Sequence, residues 1–400
     1  MATDDSSRVA LYANAGSTLF HYEIDVEGAT LKRVDSVALP VGVQYAWRHP
    51  GLAFLYVACS NGSPGVPGDV HSVVALRIDA TGALQPHGDP VPLAARPIHI
   101  TTDIPGEHVL IAYNDPSGLT VHRIRQNGTL SSALEQQAPP DVGVFAHQVR
   151  VTPSNNAVIL VTRGNDATDK RPEDPGALKI FDYQYGALTN KASIAPKGGK
   201  GYGPRHLDFH PTQPWVYVSL ERQNRIHVYR MAADMLEPNP AYAADTLAEP
   251  QNRRPGQRAG TLRLHPNGKF LYVANRASGT TTLDGREVFA GGENNIAVYA
   301  LNERTGKPAL IQHEDSRGLV PRTFAIDPTG KLLVVANSES LAVAGADAVS
   351  EMPANLALFR IASDGKLTHA GTHDIDTAGA ALFWMGLVAL PARPHYMTAR

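Results

Sequence analysis

One motif recurs along the chain, and it limits the fold more than any other feature. Each copy is an alternating strand, a tight turn and a second apolar strand. The clear copies are VQYAWRHPGLAFLYVACS (43–60), HQVRVTPSNNAVILVTR (147–163), PRHLDFHPTQPWVYVSLE (204–221), GTLRLHPNGKFLYVANR (260–276) and PRTFAIDPTGKLLVVANS (321–338). PIHITTDIPGEHVLIAYN (97–114) keeps the pattern loosely. The turn is His-Pro, Thr-Pro or Asp-Pro in the clear copies. Spacing of roughly 50–60 residues marks a repeated supersecondary unit.

Most copies lead into a third apolar strand, at 72–79, 119–124, 177–183, 225–231, 295–301 and 355–361. A fourth follows a Gly turn, as in DATGALQP, RQNGTLSS and ASDGKLTH. The unit is therefore a four-stranded antiparallel meander, and a radial array of such units is a β-propeller. The ends complete the count. RVALYANAG (8–16) and TLFHYEID (18–25) read as second and third strands with no first strand before them. FWMGLVALP (383–391) reads as a first strand with no second strand after it. Six whole units plus one split unit predict an all-β, seven-bladed propeller closed by strands from both termini. Closure removes the open edges that a linear array would leave. One domain, 1–400, is expected. Insertions at 163–176 and 277–294 are expected to be loops on one face.

Composition narrows the function classes. A formal net charge of −2 over 400 residues gives no basic field for nucleic acid or an anionic membrane. No apolar run approaches the ~20 residues of a membrane helix. MATDDSSR has no basic region followed by an apolar one, so a cytoplasmic protein is expected. The one cysteine, Cys59, lies inside the apolar run FLYVACS and reads as a buried, inert thiol.

In a propeller, the first strand of each blade lines the central channel. Aligning the copies makes Arg205 equivalent to Gln44, Ile98, His147, Gly260, Arg322 and Met385. Glu221, at the end of a second strand, is equivalent to Ala15, Ser60, Asn114, Arg163, Arg276 and Ser338. Both positions lie at the same end of their antiparallel strands. The charged members, His147, Arg163, Arg205, Glu221, Arg276 and Arg322, fall in adjacent blades. A residue required by the fold would recur in every copy, and these do not. His49, His210 and His265 do recur before the turn proline, and read as turn residues rather than metal ligands.

With these residues placed, the chain resembles the seven-bladed lactonase family, which includes propeller-type 6-phosphogluconolactonases and 3-carboxy-cis,cis-muconate lactonizing enzymes. The resemblance covers nearly the whole chain. It is most specific in AHQVRVTP, GPRHLDFHP with YVSLER, GTLRLHPNGKFLYVANR and PRTFAIDPTGKLLVVANS. It implies His147, Arg205, Glu221 and Arg276 as the catalytic group. Arg163, Lys200, His206, Asn275 and Arg322 are candidate substrate-binding residues.

Lactone hydrolysis needs an activated water, a stabilised oxyanion and a proton for the leaving oxygen. His147 or Glu221 can transfer the proton. Arginines can hold a carboxylate or phosphate and stabilise developing charge. No G-x-S-x-G elbow is present, which argues against a covalent serine. One glutamate without acidic companions makes a poor divalent site, so no metal and no cofactor are expected. The expected partner is a small anionic lactone or an unsaturated carboxylate. The same residues could run a lactonizing cycloisomerisation, and a propeller can also be an interaction platform without chemistry.

Overall fold

A computed structural model of the chain describes residues 8–345 and 348–390. It contains seven four-stranded antiparallel blades. The first strands are Val43–Arg48, Pro97–Thr102, Ala146–Val151, Pro204–Phe209, Arg258–Leu264, Leu319–Ile326 and Met385–Ala389, in blades one to seven. They pack against one another in ring order. Tyr45 of blade one meets Trp384, just ahead of the last first strand, with ring centroids 6.5 Å apart. In blade seven the C-terminal strand Met385–Ala389 pairs with Val9–Ala15, and Thr18–Asp25 and Thr30–Ala38 lie outside it. The split blade expected from the repeats is thus formed by strands from the two ends of the chain.

Two recurring contacts tie four of the blades to the one that follows. The tyrosine of a second strand donates its hydroxyl to a glycine carbonyl in the outer turn of the following blade. The pairs are Tyr12 to Gly82 at 2.6 Å, Tyr56 to Gly128 at 3.1 Å, Tyr217 to Gly306 at 2.8 Å and Tyr272 to Gly365 at 2.9 Å. The turn histidines make the other contact. His49, His210 and His265 accept backbone N–H groups of their own turns on Nδ1. Nε2 therefore carries the proton and donates to the carbonyl of Gly106, Gly268 or Gly330, each in the next blade. Apolar second and third strands fill the spaces between blades. Cys59 is fully buried there, and burial pushes its thiol up to about 12.

The insertions add structure to the face where second strands end. Residues 277–294 include a hairpin, Thr280–Leu283 with Arg286–Phe289, where the sequence suggested only a loop. A second hairpin, Leu341–Ala344 with Val349–Met352, follows the next blade's second strand, and Arg286 pairs with Glu351 at 3.3 Å. The 163–176 loop is fastened to the rim by Asp166, which lies 2.8 Å from Arg222 and 3.2 Å from Arg258, and by Glu173 against Arg222.

Candidate active site at one channel mouth

The mouth residues owe their position to a backbone irregularity. In blades one, two, three, four and six the first strand shifts register by one residue at Gln44, Ile98, His147, Arg205 and Arg322. Blade five shifts between Ala259 and Leu262. A bulge residue has no partner in the ladder, so its side chain is re-aimed. Just before three of these bulges the backbone turns left-handed, at Phe145 (φ 58°), Gly203 (φ 52°) and Val320 (φ 56°). A β-branched residue there is strained, and such strain gathers at functional sites.

Glu221 is the centre of the mouth. It is 4% exposed. Its Oε2 lies 3.1 Å from Arg163 Nη1, and its Oε1 is paired with Arg276 and lies 3.5 Å from Arg205 Nε. Burial alone would raise its carboxyl. Arg276, Arg205 and Arg163 outweigh burial and hold it well below the usual carboxylate range. Arg205 is 1% exposed and sits behind the carboxylate, not on the cavity wall. Burial, reinforced by Arg276, pushes its guanidinium well below the ordinary arginine value.

His147 lies on the wall of a cavity of about 510 Å³, together with Glu221, Arg163, Arg276, Arg322 and Arg96. Its Nδ1 is buried without a partner. Burial first, and then Arg205, push its imidazole well below 6.5, so the ring is neutral at neutral pH. Its ring packs edge-on against His206 at 5.3 Å, and His206 against His99 at 6.1 Å.

Two further arginines face the cavity without a carboxylate of their own. The guanidinium of Arg322 lies 4.2 Å and that of Arg96 5.7 Å from the centre of the Phe383 ring. Arg96 is held by Gln44 Oε1 at 2.9 Å, and its Nη2 is buried with no partner. Burial, and then neighbouring positive charge, lowers Arg322 to about 9; burial lowers Arg96 to about 10. Both stay charged at neutral pH. The group is a cationic cradle with one locked carboxylate and one neutral imidazole. It can bind an anion and move a proton.

The family model described as a seven-bladed β-propeller lactonase matches residues 7–348. The chain belongs to that lactonase family. Among relatives of this lactonase-family protein, one from Bacillus subtilis named 6-phosphogluconolactonase is 26% identical over 351 residues, covering 83% of this chain and 88% of that protein. A protein of the same name from Erwinia tasmaniensis is 28% identical over 335 residues, with coverage of 83% and 88%. The solved structure of a periplasmic gluconolactonase from Pseudomonas aeruginosa superposes with a TM-score of 0.73 over 96% of this chain and 100% of that one, at 21% identity. That likeness concerns the fold.

The structure brings His147, Arg163, Glu221, Arg276 and Arg322 of this lactonase-family chain to one cavity, with Arg205 directly behind. Three other sequence candidates lie elsewhere. Lys200 is exposed on its loop and is not on the cavity wall. Asn275 is fully buried and donates to the Thr246 carbonyl and to Asn295 Oδ1, which leaves it no free donor for a substrate. His206 is buried beneath His147 and Arg205. Met385 is not the mouth position of blade seven either. It pairs with Ala13 further down the strand, and Phe383 supplies the contact at the mouth. Arg96 was missed because it precedes the copy that begins at Pro97, and Phe383 because the alignment put Met385 at the mouth.

Proposed function

We propose that this protein hydrolyses an anionic sugar lactone of the 6-phosphogluconolactone type by metal-independent acid/base chemistry at the Glu221 mouth. The observation that carries the reading is a neutral, partner-poor His147 beside a buried carboxylate ringed by three arginines. The names of the relatives and the cavity's excess of arginine support the substrate class. Arg322 and Arg96 hold the remote anionic group of the substrate. Arg276 and Arg163, on the wall, face the lactone carbonyl. His147 takes a proton from water as its oxygen adds to the carbonyl carbon, and Arg276 stabilises the oxyanion. The imidazolium formed lies near Glu221, which offsets part of the repulsion from the arginines. It then returns the proton to the ring oxygen as the C–O bond breaks, giving the hydroxy acid and a neutral His147. Glu221 is too strongly paired to be a good base, so its part is to fix the arginines and steady the imidazolium. Arg205 positions Glu221 from behind.

Metal independence is supported by the carboxylate, whose two oxygens are both taken by guanidinium groups. Dialysis against a chelator is expected to leave the rate unchanged, and a loss restored by Ca²⁺ would contradict this. The closed ring supports reading 1–400 as one domain. We place the reaction in the cytoplasm, which fractionation of the source cells tests. For the reaction itself, purified protein is assayed on 6-phosphogluconolactone and on 3-carboxy-cis,cis-muconate. Opening of the lactone is expected. Turnover of the muconate alone would replace hydrolysis with lactonizing isomerisation, and turnover of neither would leave a binding propeller.

A further inference from the structure

The channel has a second polar end. The bulge brings the residue after each mouth position inward as well, and beyond it inward-facing positions alternate two residues apart. Below the mouth row comes a layer containing Tyr45, His99, Gln148 and His206. Tyr45 and His99 pack at 4.3 Å, and His99 and His206 at 6.1 Å, so this layer plugs the channel. The next row contains Trp47, Arg150, Asp208 and Arg263, and Arg48 joins it from the end of its strand. These residues line a separate cavity of about 360 Å³ at the opposite mouth.

Its charges do not balance. Asp208 is the one carboxylate on this cavity wall, and it is already engaged. Its Oδ1 lies 3.1 Å from Arg150 Nη1, and its Oδ2 accepts the Leu264 N–H at 3.0 Å. Arg263 reaches only a neutral partner, the Tyr45 hydroxyl, at 3.2 Å. Arg48 has a buried Nε with no hydrogen-bond partner, and no ion pair among the described residues. Three guanidinium groups thus face one carboxylate. Arg48 and Arg263 are half-buried, so a guanidinium without a counter-ion there is partly desolvated, and a bound anion would offset that cost. The remaining wall is largely apolar and includes Trp47, Trp384 and Phe324, and the Arg150 guanidinium lies 5.4 Å from the Trp47 ring centre.

We propose that this opposite mouth is a second ligand site, which takes a small carboxylate with a planar apolar body. The carboxylate pairs with Arg48 and Arg263, and the ring packs against the apolar wall that includes Trp384 and Phe324. The site is independent of the lactone reaction, because the Tyr45–His99–His206 layer separates the two cavities.

Isothermal titration of the full chain with benzoate, with inorganic phosphate as the control anion, tests this. One benzoate is expected to bind at this mouth, and Arg48→Gln and Arg263→Met are each expected to weaken it at least ~10-fold, the loss of one charge-assisted pair. Arg322→Met, at the other mouth, is expected to leave that affinity unchanged. Arg48→Gln is also expected to keep wild-type lactone turnover, which shows that it folds. Phosphate is expected to bind this mouth more weakly than benzoate. Absence of benzoate binding, or binding lost in Arg322→Met and kept in Arg48→Gln, would overturn the site. Equal affinity for phosphate would overturn the aromatic class. If Arg263→Met does not fold, Arg48→Gln decides alone.

Discussion

Two sets of histidines in this molecule differ in one respect. His49, His210 and His265 each bridge to a glycine carbonyl in the next blade, 57, 58 and 65 residues further along the chain. His147 makes no such bridge, its Nδ1 has no partner, and it faces a cavity. The first set recurs in three blades with the same two contacts each time, which marks it as a fastening between blades. The second occurs once, as the proposed reaction requires of a single proton carrier at one mouth of the channel. Repetition therefore separates side chains that serve the ring from those that serve a ligand.

The largest effect expected from breaking this comparison is at Glu221. Glu221→Gln leaves three guanidinium groups around a neutral amide. A drop in kcat of ~10³-fold is expected, with a lowered Tm because the buried arginines lose their counter-charge. Unchanged turnover would remove Glu221 from the site. Arg205→Lys is expected to cost kcat ~10²-fold, because a point charge cannot reproduce the planar guanidinium that holds Glu221. Its KM is expected to stay near wild type, since Arg205 is off the cavity wall. Arg322→Met is expected to raise KM ~10–100-fold with a smaller change in kcat, the signature of lost ground-state binding. The smallest effect on rate is expected at a turn histidine. His265→Ala should lower stability by ~1–3 kcal/mol through the lost bridge to Gly330, with kcat at 25 °C unchanged. A large loss of kcat there would mean that repeated residues also serve the chemistry.

Stability offers a further check. Burial lowers the imidazoles of His99, His147 and His206 well below 6.5. Each is neutral in the folded chain and takes a proton on unfolding once the pH falls below ~6.5. Stability from this source is complete above that pH and is lost as the pH falls. Six other histidines are lowered in the same direction, so urea unfolding across pH 7.5 to 5.5 is expected to show a proton uptake that grows toward the acid end and is reduced by about one in His99→Gln. A flat profile would mean that these rings are already protonated when folded.

Much of this was legible in the sequence. The blade count and the split seventh blade follow from the repeat, because each meander copies the same turn and the same apolar alternation. The meeting of Arg205 with Glu221 also follows, because antiparallel strands bring a strand start beside a strand finish. The bulges were not legible, since an unpaired residue leaves no mark on an alternating pattern. Arg96 lay just outside its repeat, and Phe383 was hidden by aligning Met385 instead. Asn275 is the instructive error. Asn337 occupies the same place in the next copy and makes the same contacts, to the Ser316 carbonyl and Asn355 Oδ1. Asn275 and Asn337 repeat both the residue and its backbone and Asn contacts, which marks Asn275 as a part of the ring.

The central claim is that unrepeated His147 carries the proton. The most direct test is the initial rate of 6-phosphogluconolactone ring opening by His147→Gln at neutral pH, after subtraction of spontaneous hydrolysis. Glutamine keeps a polar side chain at the cavity wall and cannot take up and return a proton. The account predicts a loss of kcat of ~10²–10⁴-fold with an unchanged Tm. A rate within a few-fold of wild type would contradict it.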